Sequence, residues 1–317
     1  DIGLDRGQLG SEKLVKFIKK GNKLLLVEPN LYYRAETENK SEKKSVEQAF
    51  AKSVIFGFEI IESKDKYHLV DFTPFLMFDR HGVAKRLRDS KQGTYKIDKS
   101  KSAVELNNTR AFPENVEFEA LLTFSGEAKG NLIRSVSPDP NNVTVIQHHS
   151  FIKLPDSKYK PRKFDPRSGA ISVSYMDYST PIDEPITKKY IIRHRLEKKN
   201  PELEISEAVE PIIYYLDPGT PEPVKSALLD GGKWWNQAYE SIGFKDAFQV
   251  KMLPEDADPL DCRYNVIQWV HRSTRGWSYG ASVVDPRTGE IIKGHVSLGS
   301  LRICLLYTSD AADEEDS

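Results

Sequence analysis

Seven histidines have the widest scope for chemistry in this 317-residue chain: His68, His81, His148, His149, His194, His271 and His295. None stands in an HExxH arrangement, which would set two imidazoles on one helical face around zinc with the glutamate as base. His148 and His149 fall on a predicted strand, so their rings point to opposite faces and cannot chelate one metal together. They read as packed or hydrogen-bonded side chains. His194, between Arg193 and Arg195, is poorly placed to carry charge and reads as part of a solvated strand face. His271 and His295 flank a predicted hairpin and read as structural or substrate-facing. Glu255, Asp256, Asp258 and Asp261 lack the spacing and glycine of an EF-hand loop and read as a solvated acidic loop. There is no Gly-rich phosphate loop and no G-x-S-x-G elbow. Gly231-Gly232 lies inside a helical pattern and reads as a close-packing position. Arg272, Arg275, Trp277 and Tyr279 interleave basic and aromatic groups as a nucleic-acid groove would, but four residues make a weak case for one.

The elements that must position these residues come in two styles. Residues 24–27, 54–61, 67–72, 116–124, 143–152, 171–178 and 189–196 are short runs rich in Val, Ile, Phe and Tyr, separated by turn chemistry. Val54, Phe56, Phe58 and Ile60 would share one strand face. Helices are expected over 44–52 and 11–19. The product expected is a β-rich, sandwich- or barrel-like domain over 1–200. Charged residues with Pro201 read as a linker at 197–204. Beyond it the pattern turns α/β. Residues 211–216 look like a buried strand. A long helix follows, with Thr220 as cap, Pro221 at its first position and Gly243 at its end. Its apolar face would carry Val224, Leu228, Gly231, Trp235, Ala238, Tyr239 and Ile242. Strands follow at 248–253, 264–270 and 290–298, the last fed by the turn Asp285-Pro286-Arg287-Thr288-Gly289. The similar DPRSG at 165–169 reads as a second turn of one type and not as a domain repeat.

Composition narrows the partners. Lys and Arg number 46 against 47 Asp and Glu, so the whole-chain field argues against nucleic acid. No apolar run approaches the roughly 18–20 residues of a transmembrane helix. Two cysteines, Cys262 and Cys304, are too few for a disulfide framework or a structural zinc site. Asp1 is no initiator Met and nothing beside it reads as a signal peptide, so the start is expected to be a mature end or a fragment end. The tail 304–317, CLLYTSDAADEEDS, is acidic and aperiodic. It resembles a sequencing-library adapter translated in frame, and is expected to be non-native.

Three strings carry a resemblance: PIIYYLDPGTPEPVKSALLDGGKWWNQAYESIGF, DADPLDCRYNVIQWVHRSTRGWSYG and DPRTGEIIKGHVSLGSLR. They are similar to a family of bacterial zinc-dependent, metzincin-like metallopeptidases with a β-rich domain of unknown function ahead of the protease domain. DIGLDRGQLG, FDPRSGAISVSYMDYS and YIIRHRLEKKNPE resemble that leading domain. The resemblance implies an α+β multidomain chain: the β-rich domain at 1–200, then the truncated first half of a metzincin-like α/β protease domain at 201–303. It implies a secreted, periplasmic or envelope enzyme that hydrolyses peptide bonds with zinc-activated water. The family's HExxHxxGxxH is absent here. The resemblance therefore assigns no catalytic or zinc-binding residue, and this chain alone is expected to bind no zinc and to be inactive. What it leaves is substrate binding, by peptide pairing along the edge of strand 290–298. Ile291, Ile292, Lys293, Gly294, His295 and Val296 are the residues expected to line that cleft, with Gly294 admitting a peptide backbone and Trp277, Ser278 and Tyr279 at its rim. The other reading is a non-enzymatic β-rich surface-binding or protein-interaction module with a degenerate protease half.

Overall fold

The structure, a computed structural model, describes residues 10, 12–273 and 277–302. Arg275, Cys304 and the tail 304–317 lie outside the described residues. Alternation builds the first part of the chain. Strand β1 (Lys16–Lys20) turns into β2 (Lys23–Glu28), which pairs with β4 (Ser53–Lys64), and β4 with β5 (Tyr67–Val70), giving the sheet order β1-β2-β4-β5. The helix expected over 11–19 is thus absent from its described part, 12–19. The Lys/apolar alternation there pairs with β2 from Lys16↔Val27 to Lys20↔Lys23, satisfying backbone groups that a lone short helix would leave open. On β4, Phe56, Phe58 and Ile60 do turn inward while Val54 stays exposed.

A second sheet is organised around the fourteen-residue β9 (Asn115–Ala128), flanked by β10 (Asn142–Ile152) and β6 (Gly93–Ile97). Two short strands, β7 (Ala103–Val104) and β8 (Arg110–Ala111), also pair with β9. The two sheets share one core. Leu26 and Phe58 from the first meet Tyr95, Ala120, Leu122, Phe124 and Val143 from the second. Helices α2 (Thr73–Leu76), α3 (Val83–Asp89) and α4 (Asn131–Val136) add Phe75, Leu76, Val83, Leu87 and Ile133 to it. Phe72 bridges the layers, stacked on Phe58 at 4.9 Å and tilted against Phe118 at 5.0 Å. Inward-facing residues of two sheets meeting this way make a sandwich-like core, and no sheet among the described residues closes into a barrel. A smaller sheet, β3 (Tyr33–Arg34), β11 (Ser172–Asp177) and β12 (Thr187–Ile191), runs in the order β12-β11-β3. Helix α1 (Lys40–Ala49), capped by the Asn39 side chain, leads to Phe50, which stacks on Tyr33 at 3.8 Å.

The segment read as a linker is folded: Lys198 bridges to Ala208, and its ammonium donates to the carbonyls of Leu203 and Glu204. Strands β13 (Ser206–Glu207) and β15 (Phe244–Lys245) form a parallel pair. The last sheet joins β14 (Ile212–Leu216), β16 (Phe248–Met252), β17 (Asn265–Val270), β18 (Tyr279–Val284) and β19 (Ile291–Gly299) in the order β16-β14-β17-β19-β18. All its pairs are parallel except β18 with β19.

Helix α5 (Val224–Glu240) lies on this sheet. It starts later than Thr220 and Pro221 suggest: the Thr220 N–H is tied to the Asp217 carbonyl, and Glu222 accepts from the N–H and hydroxyl of Ser226. The expected apolar face is divided. Val224, Leu228, Gly232 and Tyr239 are half-buried, whereas Trp234, Trp235 and Ile242 are exposed. The two adjacent glycines have opposite surroundings. A Cβ on Gly232 would stand 2.4 Å from Cγ2 of Val250, while one on Gly231 meets open space. We therefore expect Gly231→Ala to raise stability by about 0.5–1 kcal/mol through helix propensity. Gly232→Ala should lower it by about 1–3 kcal/mol through overpacking. Urea unfolding of the two variants reads both.

Candidate functional site

The turn Asp285–Gly289 sends β18 back along β19, and this decides which strand offers a free ladder. β19 pairs with β17 from Val266↔His295 to Val270↔Gly299 on one side, and with β18 from Tyr279↔Ser297 to Val284↔Ile291 on the other. The expectation that strand 290–298 is an exposed edge is therefore wrong. From His295 to Ser297 both ladder sides are taken by strands, and before that β18 lies along one side while the Ile291 and Gly294 N–H groups on the other donate to the Arg193 carbonyl and the Asn265 side chain. The strand at this end of the sheet is β18, with β16 at the other; the signal of β18 was weak because Gly280, Ala281 and Ser282 have little β preference. Two runs around a Pro/Gly turn are still the hairpin signature that could have found it.

The six residues expected to line a cleft alternate instead across the sheet. Ile292, Gly294 and Val296 share the face of Tyr214 and Val250, on which α5 lies, while Ile291, Lys293 and His295 face the opposite way. Gly294 admits no peptide backbone: it is buried, and a Cβ there would stand 2.2 Å from the Tyr214 hydroxyl. Its missing side chain makes room for that ring. Lys293 donates to the carbonyls of Pro259 at 2.6 Å and Asp261 at 3.1 Å, and burial lowers its pKa despite the acids nearby. His295 is buried, its pKa lowered first by burial and then by Lys293. On the same face, His295 Nε2, Ser297 Oγ and the Tyr279 hydroxyl are buried without a hydrogen-bond partner among the described residues. Trp277 at the rim is strongly exposed.

The hairpin is anchored to the β-rich part. Arg34 donates to the carbonyls of Pro286 and Arg287, and Arg193 exchanges backbone bonds with Gly289 and Ile291. Arg195 grips both Glu290 oxygens and Asp156. Beside it the loop after β16 is fixed by Asn115, which bonds the Leu260 carbonyl and the Cys262 N–H. The acidic loop of the sequence reading is paired: Asp258 with Arg110 at 2.9 Å, Asp261 with Arg263. Cys262 is a buried thiol pushed up to about 11, first by burial.

The remaining histidines are structural in their contacts. His148 bonds the carboxylates of Glu117 and Glu119, and Ser150 and Asn115 also bond Glu117. Burial opposes its charged form, yet the two glutamates leave the His148 pKa raised. His149 faces away, toward Gln147 and the Phe75 ring; burial, then the charges of His81, His148 and Arg80, push it down to about 3. His194 is not on a solvated face. It packs edge-on against Tyr214 with Nε2 3.3 Å from the hydroxyl, and burial brings it to about 4. His271 is exposed and bonds Ser300 at 3.0 Å. Among the described residues no three His, Cys, Asp or Glu side chains come together as a metal site. The described residues therefore offer no zinc site, and no step of zinc chemistry is assigned to them. No helix among them is long and apolar enough to cross a membrane.

Residues 7–199 match the profile of a family described as a domain of unknown function, DUF5117. The chain belongs to this family. No curated protein and no solved structure matches it. The DUF5117 span thus contains the two sheets of the sandwich-like core, the β3-β11-β12 sheet and the Arg34, Arg193 and Arg195 anchors. The β18–β19 hairpin that these arginines hold lies outside it.

The histidines set opposing pH dependences. His149 and His194 stay neutral in the fold, so their stabilisation is present above the ordinary histidine value near 6.5 and is lost as pH falls below it toward about 3 and about 4 respectively. His148, with a raised pKa, contributes at low pH and loses that contribution as pH rises through its folded value. Denaturant unfolding between about pH 7 and about pH 4.5 should show a net acid loss. His194→Gln should flatten that loss by about 1–2 kcal/mol, and His148→Gln should steepen it. Equal slopes in all three proteins would contradict this assignment.

Proposed function

We propose that the chain is the leading part of a secreted or envelope zinc metallopeptidase, in which the DUF5117 domain steadies a substrate-presenting sheet. The observation that carries the reading is the outer side of β18, a strand antiparallel to β19 with which no further strand pairs among the described residues, its Val284 N–H there donating to the Glu12 carboxylate. An extended peptide can add to such a ladder, with main-chain hydrogen bonds supplying affinity and little demand on side-chain identity. The resemblance of 211–302 to metzincin-like enzymes supports it, as does a sheet whose helix-side residues Val296 and Leu298 are only half-buried. Zinc, when bound by the intact enzyme, would supply the activated water. The residues described here would bind and align the peptide.

The test is the natural reading frame continued beyond residue 303. An in-frame HExxHxxGxxH, with casein cleavage by the continued protein that a chelator abolishes, is the expected result. A continuation without that motif, or one inert on casein, would favour the non-enzymatic binding module instead. For the present chain, an unstructured peptide should bind at least about tenfold more tightly than its backbone N-methylated form, which lacks ladder donors. Equal affinities in fluorescence anisotropy would remove β18 as the docking edge.

A further inference from the structure

Apart from the sheet edge, the junction between the DUF5117 domain and the segment after it holds a pocket of about 400 Å³. Its walls include Tyr159, Lys160, Arg193, Arg195, Lys198 and one carboxylate, Glu197. Arg195 is compensated by Asp156 and Glu290. The other cations are not: among the described residues Lys160, Arg193 and Lys198 make no ion pair, and Lys198 reaches only the carbonyls of Leu203 and Glu204. Arg193 bonds one carbonyl through Nη2, that of Lys160.

With Arg195 neutralised by Asp156 and Glu290, the three cations without a carboxylate partner stand against one lining acid and repel one another across a concave surface where solvent screening is reduced. The frame holding them is stiff. The Arg193 backbone is bonded to both Gly289 and Ile291, and the Arg195 guanidinium is pinned by two carboxylates. The buried Tyr159 ring lies against both guanidiniums, 5.0 Å from Arg193 and 5.8 Å from Arg195. Preorganised, uncompensated donors of this kind lose little on capturing an anion, and an arginine fork matches the paired oxygens of a carboxylate or phosphate.

We propose that this pocket binds a small oxyanion, a carboxylate or phosphate group, with Arg193 and Lys160 as its main ligands. Arg195 belongs to the frame. The site is independent of the peptidase reading, since it uses neither the β18 edge nor any metal.

Calorimetric titration of the purified chain at fixed ionic strength tests this, with inorganic phosphate in one arm, acetate in the other and chloride as control. At least one oxyanion should bind one-to-one with a Kd of about 1 mM or tighter, and the tighter arm identifies the source. Arg193→Gln and Lys160→Gln should each weaken that binding at least about fivefold. Lys20→Gln, on a distant strand, should leave it unchanged. Lys160 is exposed, so its variant keeps the test sound even if Arg193→Gln unfolds. The proposal is overturned by no saturable binding in either arm, by chloride competing equally, or by Lys160→Gln and Lys20→Gln behaving alike.

Discussion

Asp285 holds an almost completely buried carboxylate at the tip of the β18–β19 hairpin, where an unpaired charge would be prohibitive. Its oxygens are met by the N–H, Nε and Nη2 of Arg287, while its own carbonyl closes the turn onto Thr288 and Gly289. Gly289 takes a left-handed φ of 80°, and a Cβ there would stand 2.6 Å from the Ile191 carbonyl. The turn is thereby fixed in shape and seated on β12, where Arg34, Arg193 and Arg195 hold it. Because it is fixed, β18 runs antiparallel to β19, and among the described residues the sheet ends there in a strand whose outer side pairs with no other strand.

The junction therefore does more than connect two parts. Its bonds run to backbone carbonyls and a buried glutamate, which makes them specific in register and expensive to leave unpaired. Asn115 plays the same part for the loop at 260–262. Glu117, two residues along β9 and buried, is satisfied by His148, Ser150 and Asn115. The end of the large DUF5117 sheet is thus tied to the side of the last sheet that faces away from α5, where Lys293 also bonds the 259–261 carbonyls.

What was legible in the sequence follows from how strongly each pattern is overdetermined. The strands around Phe56, Phe58, Leu122 and Val143 were readable because alternation and apolar character agree. The turns at 165–169 and 285–289 were readable because Asp, Pro, Arg and Gly each have a local reason to be there; both use an aspartate that accepts from the arginine two residues on. The stretch 11–19 misled, since its spacing suits a helix as well as a strand and only the partner β2 decides. β18 escaped notice for want of bulky residues, and with it the identity of the edge. Gly294 could be recognised as a site of close approach, but whether a peptide or the Tyr214 ring approaches depends on a residue eighty positions away. His194 likewise read as solvated because its flanking arginines turn elsewhere, to Lys160, Asp156 and Glu290.

Amide hydrogen exchange across 279–299, followed residue by residue by NMR, tests most directly the claim that β19 is internal and β18 open. Protected amides along β19, and alternate rapidly exchanging amides on β18 that become protected when an extended peptide is added, are the predicted result. Exchange on β19 as fast as on the outer side of β18 would contradict the sheet order on which this account rests.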